Sequence, residues 1–184
     1  MTNASSHSLD MVTTIVVRVG RPAKQRDFTI LHSIATKSSK FMQTTLSGEW
    51  RESHERRVSL PEIKVSDFEV YLEWLYTGHV ITLDELRSLG PTLIRLYLLG
   101  DFLIDDKFCN VVMDALILES QRRSPWIRFL PADIDFAWDK TMPGSRLRKV
   151  LVELIIRDMS FDMASPCFRG KVTWCPEVTG EIFA

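Results

Sequence analysis

The chain has little of what chemistry of its own would require. It carries three cysteines in 184 residues, Cys109, Cys167 and Cys175. The number is odd and no C-x-x-C pair occurs, so neither a disulfide framework nor a zinc site is implied. They read as reduced thiols, and Cys109, beside Phe108 and Val112 on the apolar side of a predicted helix, reads as a small buried hydrophobe. The four histidines, His7, His32, His54 and His79, stand far apart, and a lone histidine such as His32 at a predicted strand end reads as structural. No G-x-x-x-x-G-K, H-E-x-x-H, G-x-S-x-G or G-x-G-x-x-G is present. The common arrangements for phosphate cradling, zinc hydrolysis, acyl transfer and dinucleotide binding are therefore missing. The expectation is a protein that is not an enzyme, with no catalytic, cofactor-binding or metal-ligating residues and no cofactor. Only a pocket assembled from residues distant in sequence would reopen that question.

An excess of one charge is also lacking. Lys and Arg number 23 against 24 Asp and Glu, a formal net charge of −1, which supplies no electrostatic footprint for nucleic acid or an anionic membrane. No apolar run approaches the about 18 residues that span a bilayer, and Met1 to Asp10 has neither the basic start nor the apolar run of a signal peptide. A cytoplasmic or nuclear location is expected. Hydrophobic residues at 45% and charged residues at 26% lie at ordinary globular values, so most of the length should fold. The length suits one core with an appended segment.

The most readable stretch is Val58 to Val80. Arg57-Val58-Ser59-Leu60 alternates as a half-buried strand does, and Pro61 stops it because proline cannot donate to a sheet ladder. Ser66 followed by Glu69 has capping-box spacing and predicts a helix from Ser66. Phe68, Tyr71, Leu72 and Leu75 then recur on one helical face, and Gly78 supplies a left-handed stop. Upstream, Thr14 to Val19 is rich in β-branched residues, and a charged turn separates it from Phe28 to Leu31, which predicts a β-hairpin. Two short helices are expected over Ser33 to Lys37 and Ser39 to Leu46, then a charged loop from Gly48 to Arg56. Downstream, Thr82 and Glu85 repeat the capping-box spacing, and Gly90-Pro91 breaks that helix, with a new one starting at Pro91. Asp105 offers a cap for a helix over Asp106 to Glu119, in which Phe108, Val111, Val112, Ala115 and Leu116 face inward. The sum is α+β, a small β-sheet covered by a cluster of α-helices.

Residues 1–11 read as a disordered tail and 12–120 as the main domain. The breaker-rich, basic stretch Gln121 to Pro131 reads as its boundary. Residues 121–184 read as a helical C-terminal extension, with helices over Pro131 to Lys140 and Ser145 to Met159. Trp126, Trp138 and Trp174 there read as packing anchors. Arg122, Arg123, Arg128, Arg146, Arg148 and Lys149 read as solvated partners of Asp133, Asp135 and Asp139.

Leu60-Pro61-Glu62 followed by Leu75-Tyr76-Thr77-Gly78 resembles the signature of the BTB/POZ family, a strand ending in a Leu-Pro-Glu-like turn and a helix closing in Tyr-Thr-Gly. Ile15 to Val19, Phe28 to His32 and Ser38-Ser39-Lys40-Phe41-Met42 are similar to the family's first two strands, its strand-end histidine and its Ser-x-x-Phe helix. The resemblance covers about Thr13 to Glu119, and the extension looks like that of short fungal members. It implies the BTB/POZ fold and a non-enzymatic protein–protein interaction module. In members that recruit a cullin scaffold, a hydrophobic-x-Glu motif occupies the loop before the third strand, where Trp50-Arg51-Glu52 stands here.

That loop is also the least bland segment by its own residues. Glu49-Trp50-Arg51-Glu52 sets a large aromatic among charges, and tryptophan is enriched among interface hot spots; the competing reading is that Trp50 packs back on the helix of Phe41. The expected partner-binding residues are Trp50, Glu52, Phe41 and Glu49. The expected role is a substrate adaptor for a cullin-based E3 ubiquitin ligase; the alternative is a nuclear regulatory protein acting through self-association or other partners. The sequence departs from the family pattern in two places. Only about a dozen residues precede the first strand here, so the expectation is against the swapped homodimer of many animal members, in which a preceding helix is exchanged; other dimer surfaces and a monomer stay open. Thr14 and Ser33 stand where transcription-factor members carry the charges of a co-repressor pocket.

Overall fold

The computed structural model describes residues 13–47, 54–79, 89–122, 131–161 and 180. The tail expected over 1–11, the capping box of Thr82 and Glu85, Trp126 and Trp174 lie outside them. The chain divides into two compact units, one from Met1–Ile81 with Leu99–Lys107, the other from Thr82–Leu98 with Phe108–Ala184.

In the first unit β1 (Thr14–Val19) lies between two partners, antiparallel to β2 (Arg26–Leu31) and parallel to β3 (Arg57–Leu60). The register sets Ile15 against Ile30, Val17 against both Phe28 and Val58, and Val19 against Leu60. All seven side chains are buried, the outcome of a period-two pattern with one face turned to the core. The opposite face pairs Arg18 with Asp27, the guanidinium donating two hydrogen bonds to the carboxylate at 2.7 and 2.8 Å. Gly20 (φ 93°) ends β1 where no other residue fits: its N–H donates to the Leu60 carbonyl, and an added Cβ would stand 2.8 Å from the Lys24 carbonyl oxygen. β2 begins two residues earlier than Phe28, and His32 opens the following helix.

Helices α1 (His32–Ser38) and α2 (Lys40–Ser47) follow the hairpin, and α3 (Val65–Thr77) follows β3. The capping box expected at Ser66 is corrected by the structure. Lys64 holds the cap position without a side-chain cap bond, so Ser66 lies inside the first turn, and Glu69 forms an ion pair with Arg26 of β2. The acid in that first turn is Asp67, of favourable sign for the helix dipole. Gly78 ends α3 as expected, with φ 75° and its N–H on the Trp74 carbonyl at 2.7 Å. The buried face is Phe68, Tyr71 and Trp74, with Leu72 and Leu75 only half-buried. Phe68 sits 5.2 Å from Phe28 of the sheet, and Tyr71 stacks on Trp74 at 5.8 Å; aromatic area outweighs the leucines in deciding which side turns inward.

α4 (Leu89–Phe102) begins before Pro91, which therefore lies in its first turn, where a missing N–H breaks no bond. α5 (Asp106–Arg122), which falls in the second unit from Phe108 on, is followed there by α6 (Pro131–Lys140) and α7 (Arg146–Phe161). Phe108, Val112 and Leu116 of α5 are buried, while Val111 and Ala115 are half-buried. Cys109 is a buried hydrophobe, its thiol 3.7 Å from the Tyr97 carbonyl. Arg148 corrects the reading of a solvated basic group. It is 5% exposed, its guanidinium lies 5.3 Å over the Trp138 ring, and it donates to the Trp138 carbonyl (2.8 Å), the Thr141 carbonyl (2.5 Å) and the Thr141 hydroxyl (3.0 Å). The last carbonyls of a helix lack intrahelical partners, and a forked cation satisfies several at once. Among the described residues no helix is long and apolar enough to cross a membrane.

Candidate partner-binding site

Of the four expected partner-binding residues, Phe41 is described; Glu49, Trp50 and Glu52 lie outside the described residues. Phe41 owes its place to a junction of helix ends in the first unit. Ser39 is fully buried; its hydroxyl donates to the Leu103 carbonyl (2.7 Å) and accepts from the Met42 N–H (3.1 Å), capping α2. The first N–H groups of α2 then find the carbonyls beyond α4: Lys40 N–H donates to Ile104 and Phe41 N–H to Leu103, at 3.3 and 3.2 Å. Orphan donors of one helix and acceptors past the other satisfy one another, the account that any buried helix end must close.

The end of α4 is a Schellman motif. Asp105 N–H donates to Gly100 and Ile104 N–H to Asp101, at 2.9 and 3.0 Å, with Ile104 left-handed at φ 51°. Glycine usually takes that position; a β-branched residue there costs about 1–2 kcal/mol. The turn leaves Phe102 and Ile104 each 50% exposed, and the Phe102 ring lies 5.2 Å from that of half-buried Phe41. Exposed Lys37, Lys40, Asp101, Asp106 and Lys107 occur in the same segments.

Beneath the turn, Asp105 is 1% exposed and its carboxylate accepts from the Ser38 hydroxyl (2.7 Å) and the Tyr71 hydroxyl (2.9 Å). His32 is a fold residue by its backbone, its N–H on the Thr13 carbonyl and its own carbonyl accepting from the Thr36 hydroxyl, both at 2.8 Å.

The family model described as BTB/POZ domain matches residues 5–103, more than half of the chain. The chain belongs to the BTB/POZ family. Its BTB domain is thus a protein–protein interaction module, non-catalytic in kind, and domains of this family often dimerise. The α+β arrangement of a three-stranded sheet and helices agrees with that fold. Among curated proteins, none matches the sequence.

Sequence reasoning missed Phe102 and Ile104. Their signal was present as apolar residues that fall off the face marked by Leu96, Leu99 and Leu103, all buried. The left-handed turn that turns them outward has no glycine to announce it.

Proposed function

We propose that this BTB domain is a substrate adaptor of a cullin-based ubiquitin ligase, working in the cytoplasm or nucleus and docking its scaffold through Trp50, Glu52, Glu49 and Phe41. The observation that supports the reading is exposed Phe102 against half-buried Phe41, with exposed Ile104 two residues on. Phe41 lies on α2, and the chain leaves α2 at Ser47 directly into the segment that carries Trp50 and Glu52. A tryptophan anchor buried by a partner is worth about 2–4 kcal/mol, and a second apolar centre would add area that a single anchor lacks. On this reading residues 12–120 hold the scaffold, and the substrate is held by the extension, residues 121–184, or by another surface of the BTB domain.

The test is calorimetry of the full chain with the N-terminal region of the source organism's BTB-binding cullin, with light scattering to fix the mass of the free protein. Micromolar or tighter binding is expected, lost in the Trp50→Ala, Glu52→Ala double variant. A folded protein that does not bind would overturn the adaptor role; unchanged affinity in a folded double variant would overturn the site.

A further inference from the structure

Two unfavourable choices meet at the turn after α4. Ile104 takes the left-handed position, φ 51°, with half of its side chain in solvent, where asparagine or glycine would sit with less strain. Asp105 follows as a carboxylate taken to 1% exposure, although burial disfavours a charged group and an apolar residue of similar size avoids that cost. Strained backbone persists where its surroundings over-determine it, and it concentrates at sites of function.

The surroundings here are specific. The Asp105 carboxylate binds the Ser38 hydroxyl at the last residue of α1 and the Tyr71 hydroxyl in the middle of α3. The carbonyls of Leu103 and Ile104 accept from Ser39, Lys40 and Phe41. The turn is therefore tied on both flanks, and the two side chains it turns outward are Phe102, against Phe41, and Ile104. We infer that Asp105 is a positioning residue for this docking face: its bonds to Ser38 and Tyr71 pin the turn, hold Ile104 left-handed and so present Phe102 and Ile104 beside Phe41. That the face serves cullin docking rests on the function proposed above; the geometry that Asp105 enforces does not.

The experiment uses the isotope-labelled full chain. A strong intraresidue NH–Hα Overhauser effect marks a positive φ at Ile104, and calorimetry with the cullin N-terminal region reads the face. Asp105→Ala is expected to remain cooperatively folded, to lose the strong Overhauser effect and to bind about tenfold more weakly. Should that variant not fold, Ser38→Ala, which removes one hydroxyl at a half-buried position, is read for the same loss in smaller measure. Ile104→Asn, which tolerates the left-handed turn, is expected to keep or raise the thermal midpoint while weakening binding, a separation that a purely structural residue would not show. Retention of the strong effect in folded Asp105→Ala overturns the inference whether or not the cullin binds. Loss of the effect with unchanged affinity overturns the link to the face. A wild-type chain that binds no cullin removes the docking reading alone, and the Overhauser signal then decides the positioning by itself.

Discussion

Tyr71→Phe removes one oxygen from the centre of the first unit and little else. Tyr71 is fully buried, with its ring 5.9 Å from Phe68 and 5.8 Å from Trp74, and phenylalanine keeps both contacts. What is lost is the 2.9 Å hydroxyl bond to the Asp105 carboxylate, itself 1% exposed. A hydrogen bond to a charged group contributes about 1.5–3 kcal/mol, and withdrawing a donor from a buried acceptor lies in the same range, so the cost should be about 2 kcal/mol. In a chain of this length that lowers the thermal midpoint by about 4–8 °C. Urea unfolding followed by tryptophan emission is the assay, because Trp74 stacks on the substituted ring. A change below about 0.5 kcal/mol, the size of an ordinary surface substitution, would show that the carboxylate does not depend on this donor and would refute the reasoning. Combination with Ser38→Ala should be non-additive, since both hydroxyls serve one carboxylate.

Arg148→Lys should cost about 2 kcal/mol, because an ammonium cannot reproduce the fork that reaches the Trp138 carbonyl and both oxygens of Thr141; urea unfolding of the variant within error of wild type would sink this account. Asp27 is held below its ordinary value of 3.8, first by the guanidinium hydrogen bond of Arg18 and then by the charges of Arg18 and Arg57. A depressed carboxyl adds stability above that ordinary value and loses it as pH falls through the folded one. The thermal midpoints of wild type and Asp27→Asn should therefore differ by a small constant above about pH 5 and converge below it. The gap should shrink in salt, since the pair is partly exposed; a gap that widens on acidification would contradict the sign.

Much of this fold could be read from local pattern, because local pattern carries local physics. Alternation in Thr14–Val19 and Arg57–Leu60 placed two strands, the β-branched run and the charged turn placed the hairpin, and Gly78 placed the end of α3. Family membership was legible for the same reason, since the Leu-Pro-Glu and Tyr-Thr-Gly segments are local signatures. Where two local signals competed, the packing partner decided. Ser66 and Glu69 have capping-box spacing, yet Glu69 is paired with Arg26 across 43 positions of sequence. Leu75 fits the helical period, yet Trp74 is buried, stacked on Tyr71.

The sequence by itself determined the strands and their inward faces, the helices at Pro131–Lys140 and near Ser145–Met159, and the absence of any recognisable catalytic motif. Only tertiary structure decided which polar residues leave water. Asp105, read as a helix cap, became the acceptor for hydroxyls 67 and 34 positions away, and Arg148, read as solvated, became the donor to the end of α6. It also decided that Ile104 would be left-handed and that Phe102 would stand beside Phe41. The reason is common to all four: a periodic pattern reports which side of an element is apolar but not which carbonyl, hydroxyl or ring will meet it there.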